Sequence, residues 1–352
     1  MSDLPKKPAV TVKASSKGFF LESQDGEFKL RVGGYIQEDS RWYTTGDKPT
    51  TGSTFVMRRV RLIVDGDVFK QFSFRMSPDF GEGQVRLFDA YIDYHPMAEF
   101  SVRAGKYKEP VGLERLRSAQ HLTFVERALP DNLVPNRDTG VDIHGELFEG
   151  SLNYALGVYN GVRDHSTDDF ASGSPKEFAA RFFGYPFKQT TIEELEGLGL
   201  GVAGTIGDQR GALATYNTAG RTTFFAYSKG VSASGLRWRV SPQVYYSYRS
   251  FGLLTEFVQN VTSVTKAPAK GMPQPIFGDI RNIGWQAAGS YLLTGEKAMY
   301  GAVKVLNPFD PFGAGGYGAW EIGARYSQLL VDGDAFRRGF ASLSSSSRRA
   351  KE

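Results

Sequence analysis

The sequence contains no cysteine in its 352 residues. Without thiols the chain has no disulfide framework and no thiolate metal site, and it can cross an oxidising compartment without mispairing. Its four histidines, His95, His121, His144 and His165, do not show the short ligand spacings of a zinc site. We therefore expect neither a metal site nor a cofactor.

Long apolar runs are also missing. No stretch approaches the ~18 consecutive apolar residues that a membrane-spanning helix needs, and helical periodicity is nearly absent. The N-terminal stretch MSDLPKKPAVTVKASSKG includes lysines but lacks the apolar core of a signal peptide. We expect either that an export signal has been removed from this numbering or that the chain is not exported.

The sequence also lacks the local patterns of an enzyme. The stretch GLGVAG, residues 199–204, matches the glycine pattern of dinucleotide-binding folds, but the TIGD that follows shows no helical pattern. A glycine-rich strand is the better interpretation. No G-x-S-x-G nucleophile elbow and no phosphate-binding P-loop occurs in the sequence. We therefore expect a protein that is not an enzyme.

A strong charge imbalance is absent as well. The chain has 42 basic and 38 acidic residues, so any strong electrostatic field must arise from where the charges are placed. Arginines interleaved with aromatic residues are typical of proteins that bind single-stranded nucleic acid. Here, however, the arginines recur from Arg31 to Arg325 and do not concentrate in one domain. This distribution argues against nucleic acid as a partner.

What the sequence has in abundance is alternation of apolar and polar residues, which is the pattern of β-strands. One example is FVMRRVRLIVDGD at residues 55–67. Its apolar face contains Val60, Leu62 and Val64, and its polar face contains Arg59, Arg61 and Asp65. The same alternation occurs between Glu27 and Tyr35, between Gln71 and Met76, from Gly235 onward and from Ala319 onward. The sequence predicts roughly fourteen strands of about ten residues, the length typical of outer-membrane barrels.

Two all-β folds fit this alternation. A large soluble sandwich or β-solenoid would bury the apolar faces in a dry core, whereas a transmembrane antiparallel β-barrel would turn them towards lipid. An arginine facing lipid at the midplane costs about 2–4 kcal/mol, so in a barrel the arginines must face the lumen. Trp238, Trp285 and Trp320 would then lie in the interface girdles. The sequence favours the barrel.

The connections between the predicted strands differ in length. Short turns at 95–98 and 148–151 contrast with long polar connections at 160–176 and 262–279, and this asymmetry is typical of outer-membrane barrels. The longest break, Lys108 to Asp138, mixes arginines with large apolar residues, so it must pack against something. We expect it to fold inwards and to bury Leu113, Leu116, Leu122, Phe124 and Val125.

Three stretches carry a resemblance to a known family: GKYKEPVGLERL at 105–116, FVERALPDNLVPNRDTGVDIHG at 124–145 and GAWEIGARYSQL at 318–329. In combination they resemble the phosphate-selective porin O and P family, over almost the whole chain from about Gly18 onward. The resemblance implies a sixteen-stranded barrel in the bacterial outer membrane, usually a homotrimer. It also implies an inward-folded loop that narrows the pore, with arginines and lysines lining a path for phosphate, polyphosphate or other small anions.

The resemblance assigns the constriction to residues Lys106 to Arg137. An anion in a narrow pore loses hydration, and rings of Arg or Lys replace it; the planar fork of Arg can hold two phosphate oxygens. The candidates for the anion pathway are Arg31, Arg59, Arg61, Arg75, Lys108, Arg115, Arg117, Arg127, Arg137, Arg181, Arg237, Arg239 and Arg325. For each of them the competing interpretation is a structural pair with an acid. Predicted lumen acids are Asp65, Asp89, Asp93 and Glu321.

The expected organisation has three parts. Residues 1–17 are a leader or periplasmic tail, residues 18–331 are the porin domain with its inward loop at 108–138, and residues 332–352 are a loop at a truncated C-terminus. Truncation is expected because the family continues through further strands, and open edges in lipid cost several kcal/mol per unpaired group. The expected function is passive passage of phosphate or other small anions across outer-membrane lipid. The alternatives are a general diffusion porin without phosphate specificity and a soluble β protein that binds anionic polymers.

Overall fold

A computed structural model describes residues 10–15, 18–43, 52–169, 176–268, 274–313 and 315–352. Within these ranges sixteen strands form one antiparallel sheet in the order β1 to β11 and then β14 to β18, and β12 and β13 form a separate hairpin. The strands are β1 Val10–Ser15, β2 Gly18–Ser23, β3 Phe28–Arg41, β4 Thr54–Val68, β5 Phe72–Asp79, β6 Arg86–Met97, β7 Phe100–Tyr107, β8 Asp138–Leu147, β9 Leu152–Tyr159, β10 Glu177–Gly184, β11 Leu198–Gly211, β12 Tyr216–Asn217, β13 Thr223–Phe225, β14 Val231–Tyr248, β15 Phe251–Lys266, β16 Ile276–Leu292, β17 Glu321–Leu330 and β18 Arg349–Lys351. The all-β antiparallel prediction is confirmed.

Among the described residues, helices are few and short. The α-helices are α1 Leu113–Leu116, α2 Glu193–Glu196 and α3 Gly333–Arg337, and the 3₁₀ turns are Gly81–Gly83, Ala119–His121 and Leu129–Leu133. In the described ranges, no helix has the length and apolar character needed to cross a membrane.

The chain divides into two compact units. The first consists of Met1–Tyr107 and Thr139–His144, and the second of Lys108–Asp138 and Gly145–Glu352. In the first unit the ladder register places oppositely charged residues side by side: β4 carries Asp65 opposite Arg31 of β3 and opposite Arg75 of β5. Because directly opposite residues on one face have their Cβ atoms close together, the register itself creates these pairs.

In the second unit the burial of the two faces is the reverse of a soluble fold. On β14, Arg237, Arg239 and Gln243 are at most 3% exposed, whereas Leu236 is 49% exposed. On β10 the alternating Phe178 is 59% exposed. A soluble sandwich would bury these apolar side chains, so the burial contradicts that alternative and shows which face of β14 is buried.

The apolar core of the second unit includes strand residues such as Val258, Ile280 and Leu329, and Leu329 shares a face of β17 with Arg325. It joins the 3₁₀ turn Leu129–Leu133, the β12–β13 hairpin and the chain around α3, and its buried members include Leu129, Leu133, Phe225 and Phe340. Tyr216 and Phe225 stack with ring centroids 5.3 Å apart. The connections therefore pack against one another and support the 108–138 segment.

Several predicted boundaries need correction. The connection predicted at 262–279 is shorter, because β15 continues to Lys266 and β16 begins at Ile276. The Thr–Val alternation of β15 continues through Val264, which pairs with Gly278, so polar residues there do not end the strand. Residues 269–273 lie outside the described residues. The turn predicted at 95–98 is also shorter, because β6 extends to Met97.

Both predicted terminal segments contain strands. β1 lies within residues 1–17 and pairs with β2, while residues 1–9 and 16–17 lie outside the described ranges. Within residues 332–352, α3 is followed by β18, which pairs with β17 through Lys351 opposite Gln328. The leader and the truncated end stay predictions.

Candidate functional site

The 108–138 segment packs on the polar face of β15, β16 and β17 in the second unit. The backbone amides of Leu113 and Glu114 donate to the Glu256 carboxylate. The Gln286 side chain donates from Nε2 to Glu256 Oε1 at 2.7 Å and to Glu114 Oε2 at 3.0 Å. The approach is so close that a Cβ atom built on Gly284 would lie 2.9 Å from the Cα atom of Pro130. The small size of this glycine therefore permits the packing.

The expected burial of the five apolar residues is met only in part. Leu113 is 1% exposed, but Val125 is 69% exposed, so the expectation that Val125 would be buried is wrong. Leu116, Leu122 and Phe124 are partly buried. The neighbours of Val125 give the reason, because both face Arg325. The Glu126 carbonyl accepts a hydrogen bond from Arg325 at 2.7 Å, and the Phe124 ring lies 4.6 Å from the Arg325 guanidinium group.

Arg115 and Arg137 hold the segment together from within. The buried Arg115 guanidinium pairs with Asp131 and donates to Asn136 Oδ1 at 2.7 Å, and Arg137 donates to the same oxygen at 2.8 Å. Burial lowers the pKa of Arg115 to about 9, which still leaves it charged at neutral pH. Burial, with Arg115 beside it, lowers the pKa of His165 to about 4, so that imidazole is neutral.

A second set of ion pairs, made by Arg237 and Arg239, anchors the 108–138 segment to the sheet. Arg237 pairs with Glu177 at 2.6 Å, and Arg239 contacts both Glu177 and Asp164. Arg239 also donates from Nε to the carbonyl of Leu133 at 2.9 Å. Two arginines facing two carboxylates leave no excess charge, so these two candidates act as scaffold.

In the first unit the candidates on β3, β4 and β5 are also paired. Arg31 Nε lies 2.6 Å from Asp65 Oδ1, Arg75 lies 3.1 Å from the same carboxylate, and Arg61 lies 2.6 Å from Asp79. Arg59 donates to Gln37. That the segment's cations meet Arg59, Arg61 and Arg75 across a lumen stays a prediction.

Lys108 and Arg127 bind backbone carbonyl groups at the end of α1. Lys108 Nζ donates to the carbonyls of Leu116 and Arg117 at 3.0 and 2.7 Å, and Arg127 donates to those of Glu114 and Arg117 at 3.2 and 2.7 Å. Carbonyl groups at a helix C-terminus carry partial negative charge, so cations are favoured there. The two residues thereby fix the position of Arg117.

Arg117 and Arg181 differ from the paired arginines. In the described part of the chain, neither has a carboxylate at ion-pair distance. Arg181 Nε donates to Gln243 Oε1 at 3.0 Å and lies 4.7 Å from the Phe183 ring. Arg117 donates to the His121 carbonyl and lies 5.7 Å from the Tyr300 ring. These two guanidinium groups keep their charge uncompensated at close range.

Tyrosines surround the two arginines. Tyr300 interacts electrostatically with both Arg117 and Arg181, its ring lies 5.4 Å from that of Tyr245, and its hydroxyl donates to the Leu113 carbonyl. We call this set the arginine–tyrosine cluster: Arg117, Arg181, Tyr185, Tyr245 and Tyr300. Strand alternation gives no signal for Tyr185 and Tyr300, because both lie in connections.

Glu109, an acidic residue of the 108–138 segment, has a buried carboxyl group. Both carboxyl oxygens of Glu109 are buried and, among the described residues, have no hydrogen-bond partner. Burial, reinforced by the negative charge of Glu177, raises the pKa of Glu109 well above its usual range. The neutral form of Glu109 is therefore favoured. The residues that the structure describes contain no group of three or more acids or histidines suited to a metal ion.

Known proteins match this chain over most of its length. It is 24% identical to Porin O of Pseudomonas aeruginosa PAO1 over 363 aligned positions, which cover 90% of this chain and 76% of that protein. The crystal structure of the outer membrane channel DcaP of Acinetobacter baumannii superposes with a TM-score of 0.55 at 11% identity, covering 94% of this chain and 86% of that one. The outer membrane protein OmpT of Vibrio cholerae gives a TM-score of 0.46 at 10% identity, covering 92% and 95% of the two chains.

The DcaP likeness supports the fold of the chain. The family model for phosphate-selective porins O and P matches residues 30–344. Membership of this family indicates a channel rather than an enzyme, and it confirms the predicted outer-membrane location. The chain therefore belongs to the phosphate-selective porin O and P family and is a bacterial outer-membrane porin.

Proposed function

We propose that the protein forms a closed β-barrel, assembled as a homotrimer, that passes phosphate and other small anions by passive diffusion. This proposal rests on the arginine–tyrosine cluster. Its two guanidinium groups, Arg117 and Arg181, lack a carboxylate partner in the described ranges. The closed barrel and the trimer rest on family membership.

The candidate cations fall into two classes with different roles. Arginines such as Arg237 and Arg239 are neutralised by acids and hold the scaffold. Arg117 and Arg181 supply a positive potential to a passing anion, and the hydroxyl groups of Tyr185 and Tyr245 supply hydrogen-bond donors. The neutral form of Glu109 leaves the 108–138 segment with more positive than negative charge.

The pore is proposed to bind the anion weakly and at more than one position. A pore that binds its ion strongly at one site does not conduct, because the ion must also leave. Arg117 lies in the 108–138 segment and Arg181 lies on β10, so an anion exchanges between guanidinium groups on two different elements. Each exchange replaces one set of charge-assisted hydrogen bonds with another, which keeps the barrier between them low.

Phosphate block of chloride current tests the proposal. In planar bilayers, phosphate is expected to reduce the single-channel chloride current of the wild-type protein, and Arg117→Gln with Arg181→Gln to weaken this block about tenfold or more. Arg210→Gln is the matched control, because Arg210 is an exposed arginine whose acid partner Asp208 lies 3.2 Å away. Equal block in the double variant and the wild type would contradict the proposal.

One observation favours a second function, that of a general diffusion porin on the same scaffold. Most of the predicted pathway arginines have acid partners, as Arg31 and Arg75 do with Asp65. A lumen with balanced charge would pass small solutes of either sign. Chloride current without any block by phosphate would support this alternative.

A further inference from the structure

A cavity of about 280 Å³ lies in the second unit, between three elements. One wall is residues 117–124 of the 108–138 segment, another is formed by β15 and β16, and the third is residues 298–303 of the connection between β16 and β17. Its volume is close to the lower end of the roughly 300–1,000 Å³ range of small-molecule sites.

The cavity contains two uncompensated charges of opposite sign. Arg117 lines it, and its Nε is buried without a hydrogen-bond partner among the described residues. Glu321, the first residue of β17, also lines it, and its side chain is exposed. Both residues interact electrostatically with Tyr245, which also lines the cavity.

The other two ionisable groups in the lining are already accounted for. The Glu114 carboxylate accepts from the Ala128 amide at 2.8 Å and from Gln286 at 3.0 Å, and its charge is paired with Arg325 at 3.7 Å. Burial, with Arg117 and Lys108 nearby, lowers the pKa of His121 below its usual value, so the imidazole is neutral at pH 7. One cation and one anion therefore remain for a ligand.

The remaining lining is mixed, with polar residues such as Gln120 and Ser290 beside large apolar ones. The large apolar residues in the lining include Leu122, Phe124, Leu254 and Met299. Phosphate would leave this wall in contact with water and would meet the negative charge of Glu321. A molecule with a carboxylate, an ammonium group and an apolar body satisfies all three surfaces at once.

We propose that this cavity binds an apolar or aromatic α-amino acid as its zwitterion. Arg117 holds the carboxylate through its planar fork, Glu321 faces the ammonium group, and the side chain lies against Phe124 and Met299. The proposal goes beyond anion passage and does not depend on it, because binding is measured without a membrane or an ion gradient.

The test is equilibrium binding to the purified protein in detergent, by titration calorimetry with three probes. L-phenylalanine carries both charges, phenylacetate carries only the carboxylate, and phenethylamine carries only the ammonium group. We expect L-phenylalanine to bind about tenfold or more tightly than either of the other two. Glu321→Gln should reduce its affinity to that of phenylacetate, and Arg117→Gln should reduce it to that of phenethylamine.

A pair of size variants tests the location without changing a charge. Ala288 lines the cavity, and Ala287 points to the opposite face of β16 because successive side chains alternate along a strand. Ala288→Phe should abolish binding of L-phenylalanine, whereas Ala287→Phe should leave it unchanged. Phenylacetate binding as tightly as L-phenylalanine, with no effect of Glu321→Gln, would overturn the proposal, and so would the absence of binding by all three probes.

Discussion

At the residue scale, an arginine's partners decide what it can do in this protein. Arg239 and Arg117 are both predicted pathway residues, yet Arg239 contacts two carboxylates and Arg117 contacts a backbone carbonyl and a ring. Alternation predicts that Arg237 and Arg239 share one face of β14, and the structure shows both buried on it. It cannot predict their partners, because Asp164 belongs to a connection that is distant in sequence.

Glu109 gives the first prediction, a pH dependence of stability. Its pKa is raised in the folded protein, so the unfolded state loses its proton first as the pH rises. The contribution of Glu109 to the free energy of unfolding is therefore most favourable below about pH 4.5. Above that pH it declines by at most about 1.4 kcal/mol per pH unit. Glu109→Gln, which cannot ionise, should raise the thermal midpoint more at pH 8 than at pH 5.

The comparison for Glu109 is Glu149→Gln, a change at a residue in the turn between β8 and β9. That variant should shift the midpoint by a similar small amount at both pH values. A shift in Glu109→Gln that is the same at pH 5 and pH 8 would show that Glu109 ionises normally in the folded state.

At the element scale, strands follow from the sequence and connections do not. The alternation in β14 predicts which residues lie on each face of the strand, because successive side chains point to opposite sides. The β12–β13 hairpin and the cavity wall at residues 298–303 have no such periodicity. Their positions depend on tertiary contacts, such as that between Asn132 Nδ2 and the Asn217 carbonyl at 2.9 Å.

The second prediction concerns how the 108–138 segment sits on β16. A methyl group at Gly284 would meet the backbone of Pro130 at 2.9 Å, whereas one at Gly289 on the same strand meets nothing within 4 Å. Gly284→Ala should therefore displace the segment, destabilise the protein by about 1–3 kcal/mol and change the single-channel conductance. Thermal unfolding and bilayer recordings measure both effects.

Gly289→Ala is the matched control for that experiment. It makes the same chemical change in the same strand without a close contact, so stability and conductance should both stay near those of the wild-type protein. Identical behaviour of the two alanine variants would mean that the segment does not rely on the close approach at Gly284.

At the scale of the whole molecule, strands such as β10 and β14 bury polar residues and expose apolar ones. Leu236 and Phe178 are exposed while Arg237 and Glu177 are buried, which suits a protein with lipid outside and water inside. The sequence predicts this inversion through the alternation of its strands. It does not identify Arg117 and Arg181 as the uncompensated pair, because that depends on which acids the fold brings near each arginine.

The third prediction separates a constriction from general surface charge. Lys108 and Arg127 hold the carbonyl groups around Arg117, so replacing both with glutamine should weaken phosphate block and anion selectivity. The same change at Arg337 and Arg338 should have little effect, because both lie in or beside the exposed end of α3. Equal effects in the two double variants, measured in bilayers, would mean that bulk surface charge governs permeation.

We propose that the uncompensated arginines make this porin select anions. The zero-current potential of the reconstituted channel in a KCl gradient measures it most directly. We expect a potential with the sign of chloride permeation, reduced towards zero when Arg117 and Arg181 are replaced with glutamine. A potential with the sign of potassium permeation in the wild-type protein would contradict it.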